Sequence, residues 1–468
     1  MGIRNSRSAV RALVRVVGIV AALLPCIACA AQRPNIVYIL ADDLGWKDLG
    51  FHGGDIATPN LDRLAESGAM LNAFYVQPLS SQTRAALLTG RYPMRYGLQT
   101  HSIVPSSSYG LPAEERTLAQ ALKESGYRTA FVGKWQLGHG KQEWWPTRRG
   151  FDSFYGSLAG LPDAQVKKAA KLDWHRNEQL LKEDGYITAL LAREAVSVIN
   201  RQNENAPLFL VVAFTAPAQA QSAPKALLEK YANLADANRR AYAAATTALD
   251  SAVGEIVAAL ERRNMLERTL IVFCSDNGGG VATRFPTGES DALTNAANNG
   301  VFREGRGSLY EGGVRSVALA AWPGQIKPKT IVSDMLHVVD WYPTLLGLAG
   351  ANAEQKRKVD GLDIWPVLSE GQRTPHKELL LDAEDFRGGV RVGEWKLIVH
   401  SALPMRVELF DISNDPEETD NRAETYPDRV KELMGRLNAY AYEMAPAKYV
   451  EEVPAIRPLL WRHNPAQP

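Results

Sequence analysis

The 468-residue sequence has little cysteine: three residues, of which Cys26 and Cys29 lie within the first thirty positions. Without those thirty only Cys274 remains, which excludes an intrachain disulfide framework and a cysteine-rich zinc cluster. Excess charge is equally scarce. The formal net charge is +1, and four positive charges, Arg4, Arg7, Arg11 and Arg15, belong to the N-terminal segment, so the remainder carries −3. That balance gives no electrostatic footprint for nucleic acid or an anionic membrane. No internal repeat or long low-complexity linker interrupts the chain. With 46% hydrophobic and 22% charged residues it reads as globular, with room for one large domain and a smaller one.

Residues 1–30 have a basic start, an apolar run at 16–24 and then Ala28-Cys29-Ala30. The run is too short for a permanent membrane helix, and the small residues after it suit signal-peptidase cleavage. We read a signal peptide over 1–30, cleaved after Ala30, and an exported protein, periplasmic or extracellular, with no stable membrane span after cleavage. Lipoprotein processing at Cys29 is the alternative, although Cys26 stands where such a site carries leucine.

Four apolar runs rich in β-branched or aromatic residues end in polar groups, as buried parallel strands do when their carboxyl ends open into a site. Residues 36–40 lead into Asp42-Asp43, 129–132 into Gly133-Lys134-Trp135-Gln136, 208–214 into Thr215-Ala216-Pro217-Ala218, and 270–274 into Ser275-Asp276-Asn277. Amphipathic stretches at 117–124 and 240–263 alternate with them. The pattern predicts an α/β fold with a large, mostly parallel sheet flanked by helices on both faces, ligands binding outside the strands' carboxyl ends. Beyond about residue 360 shorter alternating runs (379–381, 389–392, 395–398), a turn-rich segment at 411–416 and a helical stretch at 427–442 predict a small C-terminal α+β domain with an antiparallel sheet. The expected division is 31–360 and 361–468.

Asp42, Asp43, Asp276 and Asn277 together offer three carboxylates and an amide oxygen, a hard donor set suited to calcium or magnesium. Each pair alone has a plainer reading, Asp-Asp as a helix cap and Asp-Asn-Gly as a turn. Residues 83–88 favour a helix, with Ser80 or Ser81 at the N-cap position and Arg84 one turn in, able to lean back to the same place. A helix start of this kind presents backbone N–H groups to an anion.

The segment 77–91, Gln-Pro-Leu-Ser-Ser-Gln-Thr-Arg-Ala-Ala-Leu-Leu-Thr-Gly-Arg, resembles the signature of the sulfatase family, which belongs to the alkaline phosphatase-like superfamily. There Cys-x-Pro-x-Arg precedes Leu-Thr-Gly-Arg and the cysteine becomes formylglycine, the nucleophile. Ser80 stands in the cysteine slot and Gln82 in the proline slot. Phe74-Tyr75-Val76, Gly133-Lys134-Trp135, Pro146-Thr147-Arg148-Arg149-Gly150-Phe151-Asp152 and Glu311-Gly312-Gly313-Val314-Arg315 also look like the arylsulfatase B-like branch. The resemblance implies metal ligation by Asp42, Asp43, Asp276 and Asn277, with Ca2+ expected and Mg2+ the alternative. It further implies a nucleophile position at Ser80, steadied by Arg84, and sulfate binding by Lys134.

Departures fall where that chemistry happens. Gln136 replaces a histidine partner of the nucleophile, Ala218 a histidine that contacts sulfate, and Arg306 a lysine ahead of Glu311. Gln82 departs from the pattern used for maturation, so formylglycine at Ser80 is not expected. His139 is expected to be a loop histidine and His337 a structural one, while residues 281–298 are expected to form a rim that shapes specificity. Three readings follow: a metal-dependent sulfuric ester hydrolase acting on a small-molecule or glycan sulfate ester, an impaired pseudoenzyme that binds anionic ligands, or a serine-based phosphate or phosphonate ester hydrolase.

Overall fold

The computed structural model describes residues 33–160, 173–203, 205–218, 220, 223–281, 296–401 and 404–452. The expected signal peptide, and all but the ends of the expected rim segment 281–298, lie outside the described residues.

Among the described residues thirteen strands precede residue 338: β1 (Asn35–Asp42), β2 (Ala69–Leu71), β3 (Phe74–Tyr75), β4 (Arg128–Lys134), β5 (Ser153–Ser157), β6 (His175–Arg176), β7 (Gln179–Leu180), β8 (Leu208–Pro217), β9 (Thr269–Ser275), β10 (Arg315–Ser316), β11 (Ala318–Ala321), β12 (Thr330–Val332) and β13 (Leu336–His337). Ten form one sheet in the order β12-β2-β11-β9-β1-β8-β4-β5-β6-β7, while β10, β3 and β13 pair separately. The centre, β9-β1-β8-β4-β5, is parallel throughout. Antiparallel pairs occur toward both margins.

The helices that flank the sheet are α1 (Pro59–Glu66), α2 (Ser80–Thr89), α3 (Leu118–Glu124), α4 (Ile187–Asn200), α5 (Ala237–Arg262) and α6 (Trp341–Ala349). Successive side chains of a strand point to opposite faces, and β1 shows the result. Ile36, Tyr38 and Leu40 join a core with Ala85 and Leu88 of α2, Leu118 and Leu122 of α3 and Leu345 of α6. Val37, Ile39 and Ala41 join another with Leu61 of α1, Leu191 of α4 and Val253 and Ile256 of α5. Helix α3 starts on a reciprocal cap: Thr117 Oγ1 accepts from the Gln120 N–H (3.1 Å) and Gln120 Oε1 from the Thr117 N–H (2.8 Å). Helix α5 is long and apolar enough to cross a membrane by composition, but 72% of that apolar window is buried inside the fold.

The C-terminal part is an antiparallel meander of β14 (Glu378–Ala383), β15 (Arg387–Val392), β16 (Trp395–His400) and β17 (Arg406–Asp411), covered by α7 (Pro427–Tyr442). Strand β17 is an element the sequence reading did not name: Val407 and Leu409 alternate with Arg406 and Glu408, but the run is short and abuts the turn-rich segment at 411–416. Helix α7 comes close at Gly388, where an added Cβ would meet Leu437 at 3.0 Å. Leu380, Val390, Leu397 and Leu409 of the meander share a core with Ala85 and Leu345 of the large sheet's helices. Side chains of the meander therefore lie within reach of loops that serve the large sheet.

Candidate active site

Because β1 lies between β8 and β9 in parallel register, with Ala41 opposite Ser275, the residues after those strands meet at one rim. Asp42 ends β1, Asp43 follows in a left-handed conformation (φ 61°), and Asp276 and Asn277 follow β9. Lys134 ends β4, and the Ala218 N–H beyond β8 donates to the Asp42 carbonyl (3.1 Å). Helix α2 brings Ser80 and Arg84 to the same rim. All four expected donors, together with Ser80, Arg84, Lys134 and Arg306, are at least nine-tenths buried.

Three cations face the three carboxylates. Lys134 Nζ donates to Asp42 Oδ2 (2.7 Å), Arg306 Nη1 to Asp43 Oδ2 (2.9 Å), and Arg84 donates to Asp276 Oδ2 from Nη2 (2.6 Å) and Nε (3.1 Å). Arg84 Nη1 also donates to the Lys134 carbonyl (2.6 Å), tying helix α2 to β4. Asn277 Nδ2 donates to Asp43 Oδ1 (2.6 Å). Burial alone would raise every carboxyl here. At Asp42 the charges of Lys134, Arg84 and Arg306 outweigh it and hold the group below the usual range. Asp43 stays raised, by burial and by Asp42, against Arg306. Asp276 is pushed up to about 6 by burial and then by the charge of Asp42, against Arg84 and Lys134.

The donor set fits a divalent cation. Asp42, Asp43 and Asp276 each present an oxygen within 4.8 Å of the other two. Asp276 Oδ1 is buried with no hydrogen-bond partner, a position whose desolvation cost needs compensation. Every donor is oxygen, which suits calcium or magnesium over a soft metal.

Ser80 Oγ lies within hydrogen-bond reach of the same cluster, 3.0 Å from Asn277 Oδ1 and 3.4 Å from Asp42 Oδ1. The expected serine cap does not form: Leu79 is the N-cap residue of α2, and no side chain caps it. Ser80 is committed to Asn277 and Asp42. Ser81 Oγ donates to the Gln136 carbonyl (2.9 Å) and accepts from the Ile103 N–H (2.9 Å). Both hydroxyls are thus drawn into tertiary contacts, and no side chain caps the start of α2.

Gln136 is buried in a left-handed conformation (φ 55°), and its Oε1 has no hydrogen-bond partner. Gln82 is buried and its amide donates to the Gln99 carbonyl, away from the carboxylates. Ala218 ends in a methyl group beside Asp42. His139 is bound through Nε2 to the Pro105 carbonyl (3.0 Å). His337 accepts from the Val339 N–H (3.2 Å), and its backbone N–H donates to Asp340 (2.7 Å).

Asp173 is a contributor the sequence reading missed. Its carboxylate accepts from Ser157 Oγ (2.7 Å) and from the N–H groups of Leu158 (3.0 Å) and Ala159 (2.6 Å). That fixes the turn ending at Gly160, which packs on Lys134: an added Cβ there would lie 2.9 Å from Lys134 Cε. An isolated Asp offers no local signal of such a role.

Comparison with known proteins identifies the family of the chain. Residues 34–351 match the family model described as Sulfatase, and residues 302–443 the model described as N-sulphoglucosamine sulphohydrolase, C-terminal. The chain is 31% identical to arylsulfatase J of Mus musculus, across 92% of this chain and 79% of that protein. It is 34% identical to N-acetylgalactosamine-6-sulfatase of Rattus norvegicus, across 78% of this chain and 71% of that one. Among solved structures it is similar to Ps i-CgsB in complex with k-i-k-neocarrahexaose, with TM-score 0.82 and 32% identity over 92% of this chain and 97% of that chain.

Proposed function

Because the chain belongs to the sulfatase family, we propose that it is an exported, divalent-metal-dependent hydrolase of sulfate esters borne by glycans or aryl compounds, with Ser80 in the nucleophile's place. The observation that carries this reading is the position of Ser80 Oγ, 3.0 Å from Asn277 Oδ1 at the start of a buried helix. Lys134 and Arg306 stand around it as sulfate-binding cations. A relative named N-acetylgalactosamine-6-sulfatase and a solved structure in complex with k-i-k-neocarrahexaose support a glycan as the ester's carrier.

Asp42, Asp43, Asp276 and Asn277 would hold the ion; the all-oxygen set suits Ca2+ or Mg2+ alike, and the family resemblance favours Ca2+. When bound there, the ion supplies Lewis-acid polarisation of a sulfate oxygen. Lys134 and Arg306 orient the remaining sulfate oxygens. Ser80 Oγ attacks sulfur and the sulfur–oxygen bond to the leaving group breaks. The Ser80 proton passes by way of water to the departing oxygen, which leaves as the alcohol or phenol. A water molecule then attacks the sulfated serine, the Oγ–sulfur bond breaks, and hydrogen sulfate leaves with the hydroxyl restored.

Gln136 and Ala218 favour a slow form of this cycle. Neither side chain exchanges a proton near neutral pH, and losing a positioned acid or base costs about 10²–10⁴ in rate. Sulfated Ser80 then accumulates, and in the limit the protein is a ligand-binding member of the family.

Peptide mass spectrometry after incubation with an aryl sulfate tests the proposal. A Ser80 peptide heavier by one SO3 group, absent from Ser80→Ala, is the expected result. A peptide lighter by two hydrogen atoms would identify formylglycine and overturn the serine chemistry. Undiminished hydrolysis by Ser80→Ala would remove Ser80 from the reaction, and preferential cleavage of phosphate or phosphonate esters would reassign the substrate class.

A further inference from the structure

Lys396, in β16, is wholly buried, and its ammonium lies 2.9 Å from Glu311 Oε1 and 2.8 Å from Glu418 Oε1. Glu311 Oε2 accepts from the Tyr75 hydroxyl (2.7 Å) and from Arg315 Nη1 (3.3 Å), and Arg391 donates to the same hydroxyl. Glu418 Oε2 accepts from the Glu311 N–H (2.6 Å), and its carbonyl accepts from Arg303 Nη1 (3.0 Å). A buried network of this kind is a poor device for stability alone. Removing several ions from water costs several kcal/mol each, and an apolar replacement is often as stable. What it supplies is a fixed geometry, and Glu311-Gly312-Gly313 has need of one because its glycines have no side chains to anchor them.

Two routes lead from this segment to the carboxylate cluster. The Gly278 N–H donates to the Gly313 carbonyl (3.0 Å), and a Cβ on Gly278 would stand 1.7 Å from the Gly312 carbonyl oxygen. The backbone after Asn277 is therefore pressed against the segment that Glu311 begins. The Gly312 N–H also donates to the Arg303 carbonyl (3.0 Å), and three residues beyond Arg303, Arg306 reaches Asp43.

We propose that Lys396 and Glu418 are positioning residues for the divalent-cation site: by fixing Glu311 they set the placement of Asn277 and of Arg306 against Asp43, so the C-terminal meander governs cation affinity. This inference rests on the metal reading of the site.

The test is calcium titration by calorimetry of the chelator-treated full protein. The variants are Lys396→Met, Glu418→Gln, and the triple variant Lys396→Met, Glu311→Gln, Glu418→Gln, which removes the three buried charges at similar volume and leaves Arg315 and Arg391 at the margin of the network. Thermal unfolding without calcium is measured beside it. We expect the triple variant to unfold within a few degrees of the parent in chelator while its calcium affinity falls about 10-fold or more, the size found when groups supporting metal ligands are removed. Glu418→Gln, the mildest change, shows a smaller loss in the same direction. Parent-like affinity in every folded variant would overturn the positioning role and leave the metal site standing. Absence of calcium and magnesium binding in the parent would overturn both.

Discussion

Arg84 donates twice to one oxygen of Asp276, and the other oxygen of that carboxylate is buried without a partner. The guanidinium holds the side chain in place and the second oxygen remains for a ligand. Burial and the nearby Asp42 push this carboxyl up to about 6, a cost that a cation at the free oxygen offsets. Calcium should therefore raise the unfolding temperature, with about 2.7 kcal/mol of added stability at one hundred times Kd. In Asp276→Asn the calcium-dependent shift should be largely lost, as measured by scanning calorimetry with and without chelator. A parent whose unfolding ignores calcium and magnesium alike would exclude the site.

His337 gives a prediction of a different kind. It is fully buried, T-stacked on Tyr92 with ring centres 5.3 Å apart, and burial followed by the neighbouring His376 pulls its imidazole down to about 3. The unfolded chain takes up this proton near the ordinary value of about 6.5, whereas the folded protein resists it until about 3. Stability is therefore intact above about pH 6.5 and falls with a slope approaching 1.4 kcal/mol per pH unit as pH drops through that window. His337→Gln keeps an acceptor for the Val339 N–H and cannot take the proton. Its stability relative to the parent should improve progressively from pH 7 to pH 4 in denaturant titrations. A constant difference across that range would show that another group sets the acid limit.

The sequence made some of this site legible because strand ends are local. An apolar run followed by Asp-Asp or by Asp-Asn-Gly places carboxylates at a sheet rim, and β1 and β9 need only be neighbours for Asp42 and Asp276 to meet. The misreading at α2 is instructive: Ser80 and Ser81 have the chemistry of caps, but Asn277 Oδ1 and the Gln136 carbonyl, each contributed by a distant segment, compete for their hydroxyls and win. Asp173 and Lys396 were invisible for the same reason. Each acts on a partner far along the chain, and neither lies in a local pattern that distinguishes it from a surface charge.

Asp173 should matter more than its place outside the carboxylate cluster suggests. Its carboxylate accepts from two backbone N–H groups and one hydroxyl and pairs with His175 Nε2 at 3.1 Å, so Asp173→Ala leaves four groups to find other partners. Each buried donor left unmatched costs about 1–3 kcal/mol, and a net loss near the lower end is expected where water can enter. Asp173→Asn retains the shape but loses the charge that strengthens the bonds, and should fall between. Chemical denaturation gives the stabilities, and sulfate affinity reads the wall of Lys134. Unchanged affinity in both variants would limit Asp173 to stability.

The strongest test of the proposed chemistry restores what the chain lacks. Ala218 is only partly buried and its N–H donates to the Asp42 carbonyl, so the position lies next to the end of β1 and is not part of the closed core. Gln136 is buried with an unmatched oxygen, so Gln136→His exchanges an amide that cannot titrate for a ring that can carry a proton. A positioned acid or base is worth about 10²–10⁴ in rate, and groups acting as one unit do not add. Ala218→His alone should speed departure of the aryl group, seen as faster formation of sulfated Ser80. The double variant should also speed release, raising steady-state turnover while the sulfated peptide becomes scarcer. If neither variant alters either step and both bind sulfate as the parent does, proton transfer does not limit this site, and the reading of Gln136 and Ala218 as the cause of slow turnover fails.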